Sequence, residues 1–172
     1  MTVMEITDEA EPGPHDAGNR HGGSPMSIRH YAEADNLARV TLFGGCSRKE
    51  LRELASITTG VDIHPGQVLC QEGQVGMEFF VVVKGEATVT IAGDDVATIG
   101  PGEFFGEMAL LDGGRRGATV TATTDMHVLV MSRHEFVMLL ADVPTVSRRM
   151  LEALSSRLRT ADMKLHAHQL DL

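Results

Sequence analysis

Between its hundredth and hundred-and-nineteenth residues the chain reads Gly100-Pro101-Gly102-Glu103-Phe104-Phe105-Gly106-Glu107-Met108-Ala109-Leu110-Leu111-Asp112-Gly113-Gly114-Arg115-Arg116-Gly117-Ala118-Thr119. The pattern predicts a glycine-bounded loop, a very short helix over Glu107 to Leu111, a loop holding paired arginines, and a strand starting near Ala118. A short helix opens with unpaired amides and the positive end of its dipole, the elements of a phosphate cradle. Arg116 follows Glu107 by nine residues. A guanidinium grips two anionic oxygens at once, and a carboxylate accepts a hydrogen bond from a sugar hydroxyl, so the pair suits a ribose phosphate. The plainer alternative is a turn with solvated charges, since glycine turns and surface arginines are common.

Outward from this stretch, Val61 to Met131 reads as short strands of alternating apolar residues, most cleanly where Ala87, Val89 and Ile91 alternate with Thr88 and Thr90. Gly93-Asp94-Asp95 is a hairpin-turn signal, and Gly66, Gly73, Gly76, Gly85, Gly100 and Gly102 punctuate the strands. The expectation is a β core over residues 60–132. An N-terminal helical segment, 29–59, precedes it, with Ser47 as N-cap, Glu50 completing a capping box, and Leu51 and Leu54 facing inward from a helix over Arg48 to Ser56.

Helical periodicity returns over 133–172, first in Glu135 to Ala141 and then, beyond Pro144, in one long segment. Leu151, Leu154, Leu158, Ala161 and Leu165 are spaced 3, 4, 3 and 4 residues apart, the spacing of a coiled-coil seam. That seam either pairs with a second copy or lies on the β core. At the other end, residues 1–28 carry Pro12, Pro14 and Pro25, several glycines and five acidic residues without apolar periodicity. Such a segment is expected to be a disordered acidic tail, and Met26 is a second candidate start.

The 172 residues, 42% hydrophobic, suit one domain with some tail. A net charge of -9 argues against a protein that grips nucleic-acid phosphates, and requires any anion site to build its own local positive potential. Cys46 and Cys70 have no second cysteine at metal-ligand spacing, which fits a reducing cytoplasm. No apolar run approaches the ~20 residues of a membrane span, and the acidic N-terminus is unlike a signal peptide.

The run Phe105-Gly106-Glu107-Met108-Ala109-Leu110-Leu111 followed by Arg116-Gly117-Ala118-Thr119 resembles the phosphate-binding cassette of cyclic-nucleotide-binding domains. Pro65-Gly66-Gln67-Val68-Leu69, Glu72-Gly73 and Phe79-Phe80-Val81-Val82-Val83-Lys84-Gly85-Glu86 are similar to the early strands of the same family, and the two motifs fall in the right order. The resemblance spans about Leu42 to Leu165 and covers the ligand domains of cyclic-AMP-dependent kinase regulatory subunits and of the catabolite activator protein. It implies an antiparallel β-roll or jelly-roll (double-stranded β-helix) with N-terminal helices and a long C-terminal helix. It further implies a nucleotide site made by Phe105, Gly106, Glu107, Met108, Ala109, Arg116, Gly117 and Ala118. Glu107 would hold the ribose 2'-hydroxyl, Arg116 the cyclic phosphate, and amides near Met108, Ala109 and Ala118 the rest of the cradle.

Two positions depart from the family's pattern. Arg115 stands where many members have proline, and Gly117 where a threonine favours the guanine ring. The implied ligand is therefore cyclic AMP, with cyclic GMP second. Thr160 on the last helix is a further candidate for the purine, since no aromatic residue follows Phe136.

Rival readings fare less well. A cupin-like metal enzyme needs a His-x-His pair before a glutamate such as Glu78, where this chain has Glu72 and Gln74 with His64 isolated. His166 and His168 lack a third ligand. A DNA-reading helix-turn-helix would need chain beyond Leu172, and a kinase-inhibiting segment would need paired basic residues in the tail. A ligand-free scaffold of the same fold would have no use for Glu107 with Arg116. The expectation is thus a stand-alone cytoplasmic regulatory module, not an enzyme, with no metal, no catalytic cofactor, no membrane and no direct DNA binding. Its output would pass to the C-terminal helices and from there to a second copy or another regulated protein.

Overall fold

The computed structural model describes residues 34–170, with side chains through 167, so the expected acidic tail, 1–28, lies outside the described residues. Helical residues 34–38 (α1) lead to a 3-10 turn, Thr41–Phe43, and to α2, Arg48–Ile57. The strands β1 (Thr59–Ile63), β2 (Val68–Cys70), β3 (Glu78–Lys84), β4 (Ala87–Ile91), β5 (Asp94–Ile99) and β6 (Phe104–Phe105) come next. A short helix α3 (Glu107–Asp112) precedes β7 (Thr119–Ala122) and β8 (Met126–Ser132), and α4 (Arg133–Asp142) and α5 (Pro144–Leu170) close the described chain. All pairings between strands are antiparallel, in two four-stranded sheets ordered β1-β8-β3-β6 and β2-β7-β4-β5. This is the expected antiparallel β-roll with flanking helices and a long C-terminal helix.

The period of two along β3 divides the core. Phe80 and Val82 point between the sheets, where Cys70, Ala87, Phe105, Val120, Met126 and Val128 close around them. Phe79 and Val81 point the other way, into a second core built with Leu54, Leu110, Leu129, Phe136, Val146 and Met150. The adjacent β6 repeats the division, so Phe80 stacks on Phe105 with centroids 4.8 Å apart, while Phe79 meets Phe104 at 5.7 Å and Phe136 at 4.6 Å. One strand thus joins the roll to its helices.

Both helices that begin on serine carry full capping boxes: Ser47 with Glu50 opens α2, and Ser132 with Glu135 opens α4. The backbone N–H of Ser47, then its hydroxyl, holds the Glu50 carboxyl below its ordinary pKa.

Two expectations shift. The hairpin between β4 and β5 turns on Ala92 (φ 52°) and Gly93 (φ 90°), with Asp94 and Asp95 already in β5. Two successive positive φ values make the tight primed turn that matches strand twist, and the Glu72 carboxylate steadies it by accepting from the Ala92 N–H at 2.9 Å. Along α5, Val146, Met150 and half-buried Ala153 and Leu154 pack on the helical core, whereas Leu151, Leu158, Ala161 and Leu165 are exposed. Of the five seam positions, Leu154 alone touches the core.

Candidate functional site

Gly106 ends β6 and opens α3 with φ 90°, a conformation that L side chains rarely adopt. A Cβ there would sit 2.6 Å from an Arg116 nitrogen and 2.8 Å from the Glu78 carbonyl, so the glycine serves packing as well as geometry. Gly76 is required for packing alone. Its Cβ would stand 2.7 Å from the Ala109 Cβ and 2.8 Å from the Arg116 guanidinium.

Arg116 is drawn beneath these two glycines and is only 6% exposed. Its backbone pairs with the β2–β3 loop: the Arg116 N–H donates to the Gln74 carbonyl and the Gly73 N–H donates to the Arg116 carbonyl. The guanidinium donates to the carbonyls of Gly106 (2.9 Å) and Glu78 (2.8 Å) and to a Glu78 carboxylate oxygen at 3.3 Å, with the Phe80 ring 5.8 Å away. Three of its five N–H groups are thereby engaged, and Nε–H and one terminal N–H make no hydrogen bond within the described residues. Neighbouring Arg115 is exposed; it donates to the Gly73 carbonyl at 2.8 Å and bridges Val75, fixing the loop where a proline would have stiffened it.

Glu107 is the other buried charge, at 2% exposure. Arg157 of α5 reaches across to donate to its Oε1 at 2.7 Å, to the Phe104 carbonyl at 2.7 Å, and to lie 4.5 Å over the Phe104 ring. Phe105 is buried between the sheets, and Ala109 and Leu110 face inward from α3, whereas Met108 and Leu111 are exposed. The N–H groups at the start of α3, those of Met108 and Ala109 included, have no intrahelical acceptor. Gly117 is exposed and a side chain there would meet nothing within 4 Å; Ala118 is half-buried just before β7. Thr160 is exposed and donates back to the Ser156 carbonyl.

The fold therefore brings Phe105 to Ala109 against Arg116 to Ala118, with two buried charges at its heart. Arg157 and Glu78 join them without having been singled out in the sequence as ligand-site residues. In the sequence Gly76 is one of several glycines that punctuate the strands, and only the structure, in which it has no positive φ and packs against the guanidinium, separates it from the rest.

Cys70, beneath the same cluster, has its thiol pushed up to about 11 by burial; Arg116 pulls it back, and Glu78 and Glu107 add to the rise. Among the described residues no three His, Cys, Asp or Glu side chains are grouped to hold a metal ion, and no helix is long and apolar enough to cross a membrane.

Residues 61–142 match the family described as the cyclic nucleotide-binding domain. The chain is similar to the cyclic AMP receptor protein of Thermus thermophilus, 32% identical over 130 residues that cover 72% of this chain and 60% of that protein. It is 38% identical over 109 residues to the cAMP-dependent protein kinase regulatory subunit of Yarrowia lipolytica, covering 62% of this chain and 29% of the relative. The crystal structure of the Thermus thermophilus catabolite activator protein superimposes with a TM-score of 0.67 at 31% identity, covering 73% of this chain and 61% of that one. The chain thus spans three fifths of one curated relative and less than a third of the other.

Proposed function

Because the chain belongs, through residues 61–142, to the cyclic nucleotide-binding domain family, we propose that it is a regulatory module that binds cyclic AMP in preference to cyclic GMP. The observation that carries the proposal is Arg116: an arginine buried to 6% exposure, held by two carbonyls, with two N–H groups that make no hydrogen bond within the described residues. In this reading those N–H groups take the cyclic phosphate, together with amides of Met108, Ala109 and Ala118. Glu107 offers its second carboxylate oxygen to the ribose 2'-hydroxyl, while Phe105, Gly106 and Gly117 shape the wall.

Occupancy passes to α5 through Glu107, whose partner Arg157 lies on that helix, and through Leu110, which shares a core with Val146 and Met150. A ligand shifts such an arrangement by its difference in affinity for the two states. The exposed Leu151, Leu158 and Leu165 then present α5 to a second copy or another regulated protein. The output is a conformational change rather than catalysis.

Calorimetric titration of the chain with cyclic AMP and cyclic GMP, repeated on Arg116→Ala, tests the site. The substitution removes the main ionic partner of a partly desolvated anion, at a cost of ~2 to 5 kcal/mol of binding. That is a loss of about thirtyfold to several thousandfold. Equal affinity of the two proteins would refute the assignment.

A further inference from the structure

The site holds a carboxylate where an anion has to land. Glu78 accepts from the Arg116 guanidinium at 3.3 Å, the longest of the three bonds that group makes, and its side chain is 51% exposed against 5% for the arginine. The two carbonyl contacts, at 2.8 and 2.9 Å, fix the guanidinium's position. The carboxylate chiefly supplies charge.

Arg116 is paired with Glu78, and Glu107 with Arg157, while Arg115 donates to an uncharged carbonyl. Glu72 on the same loop and Asp112 at the end of α3 accept from backbone N–H groups and keep their negative charges. An arginine already paired with a carboxylate suits a phosphodiester, which carries a single negative charge, better than a more highly charged ligand. A phosphomonoester carries about -1.5 to -2 at neutral pH and would meet the Glu78 carboxylate uncompensated.

We propose that Glu78 is a specificity-determining residue that selects the ligand by charge, admitting a cyclic phosphodiester and rejecting the corresponding phosphomonoester. This rests on the nucleotide-binding reading above and adds to it the class of ligand excluded. Repulsion between half-exposed charges a few ångströms apart, screened by water and salt, is worth about a fivefold change in affinity per ligand charge.

The test is calorimetric titration of the whole chain with cyclic AMP and with 5'-AMP, on the wild type, Glu78→Gln and Glu78→Ala, with thermal melts to confirm that each variant is folded. Both variants should bind cyclic AMP about fivefold more tightly and gain more for 5'-AMP, so that the preference between the two narrows. Agreement of Gln with Ala assigns the effect to charge rather than to the shape of the side chain. Wild type that binds cyclic AMP beside variants of equal or weaker affinity, with an unchanged preference, overturns the role of Glu78 and leaves the nucleotide site standing. Binding by the variants alone supports it in its strongest form. Failure of all three proteins to bind either nucleotide removes both the site and the role.

Discussion

The two ion pairs of the cassette are opposites. In Arg116 with Glu78 the cation is buried and the anion half-exposed; in Glu107 with Arg157 the anion is buried and the cation half-exposed. The first pair is made within the β-roll and its buried member also rests on two carbonyls of the roll. The second crosses from the cassette to α5, and its exposed member leans on the Phe104 carbonyl and ring. A charge buried against its own scaffold is preorganised for a ligand; a charge buried against another element registers where that element sits. In the proposed function, one pair receives the ligand and the other reports it.

Substitutions that separate the two roles sharpen this contrast. Arg116→Ala has the largest expected effect, the near loss of nucleotide binding given above, because it removes the receiving charge. Arg157→Ala comes next. It leaves the Glu107 carboxylate buried without its partner, and since Arg157 is half-exposed the cost should be about 1 to 3 kcal/mol in urea unfolding, below that of breaking a fully buried pair. It should also weaken the ligand-induced change in hydrogen exchange over residues 144–165, the Leu110 contact remaining, while nucleotide still binds. A full response in the variant would show that the pair reports nothing.

Gly76→Ala acts on the receiving side alone. The added methyl group meets both Ala109 and the guanidinium, so the arginine has to shift, and affinity should fall by about 1 to 3 kcal/mol with the α5 response intact in whatever fraction binds. Unchanged affinity would mean that the position of Arg116 is not fixed by packing.

The mildest probe is Cys70, whose thiol is held near 11 by its burial under the cassette. In the native chain it should resist thiol reagents at pH 8 and react once unfolded. Because the folded pKa lies above the ordinary value of 9.0, the unfolded state loses its proton first. Stability should therefore decline as pH rises from about 9 through about 11, which melting curves across that window would detect.

Much of this was written locally. Ser47 and Glu50 announced a helix start because a capping box satisfies its hydrogen bonds within four residues. The alternation in Ala87 to Ile91 announced a strand because side chains on a pleated backbone change face at every step. The cassette was legible through its family resemblance, which needs only a contiguous run because Glu107 and Arg116 lie on one short loop-helix-loop unit. The hairpin was misplaced by a residue or two because Ala92 carries no sequence sign that it will accept a positive φ. The stripe on α5 could be read as either core or seam, because its spacing is compatible with both and only the position of α5 against the roll decides between them.

The sequence by itself determined the capped helix starts, the alternating strands and the presence of a glutamate and an arginine on one short segment, since each is set by hydrogen bonding and periodicity over a few neighbouring residues, while the β-roll was implied by the family resemblance. Tertiary structure alone decided which partners those two charges take. Glu78 lies 38 residues from Arg116 and Arg157 lies 50 from Glu107, and nothing in local chemistry ranks one distant ion over another until the sheets and α5 have packed and removed the water between them.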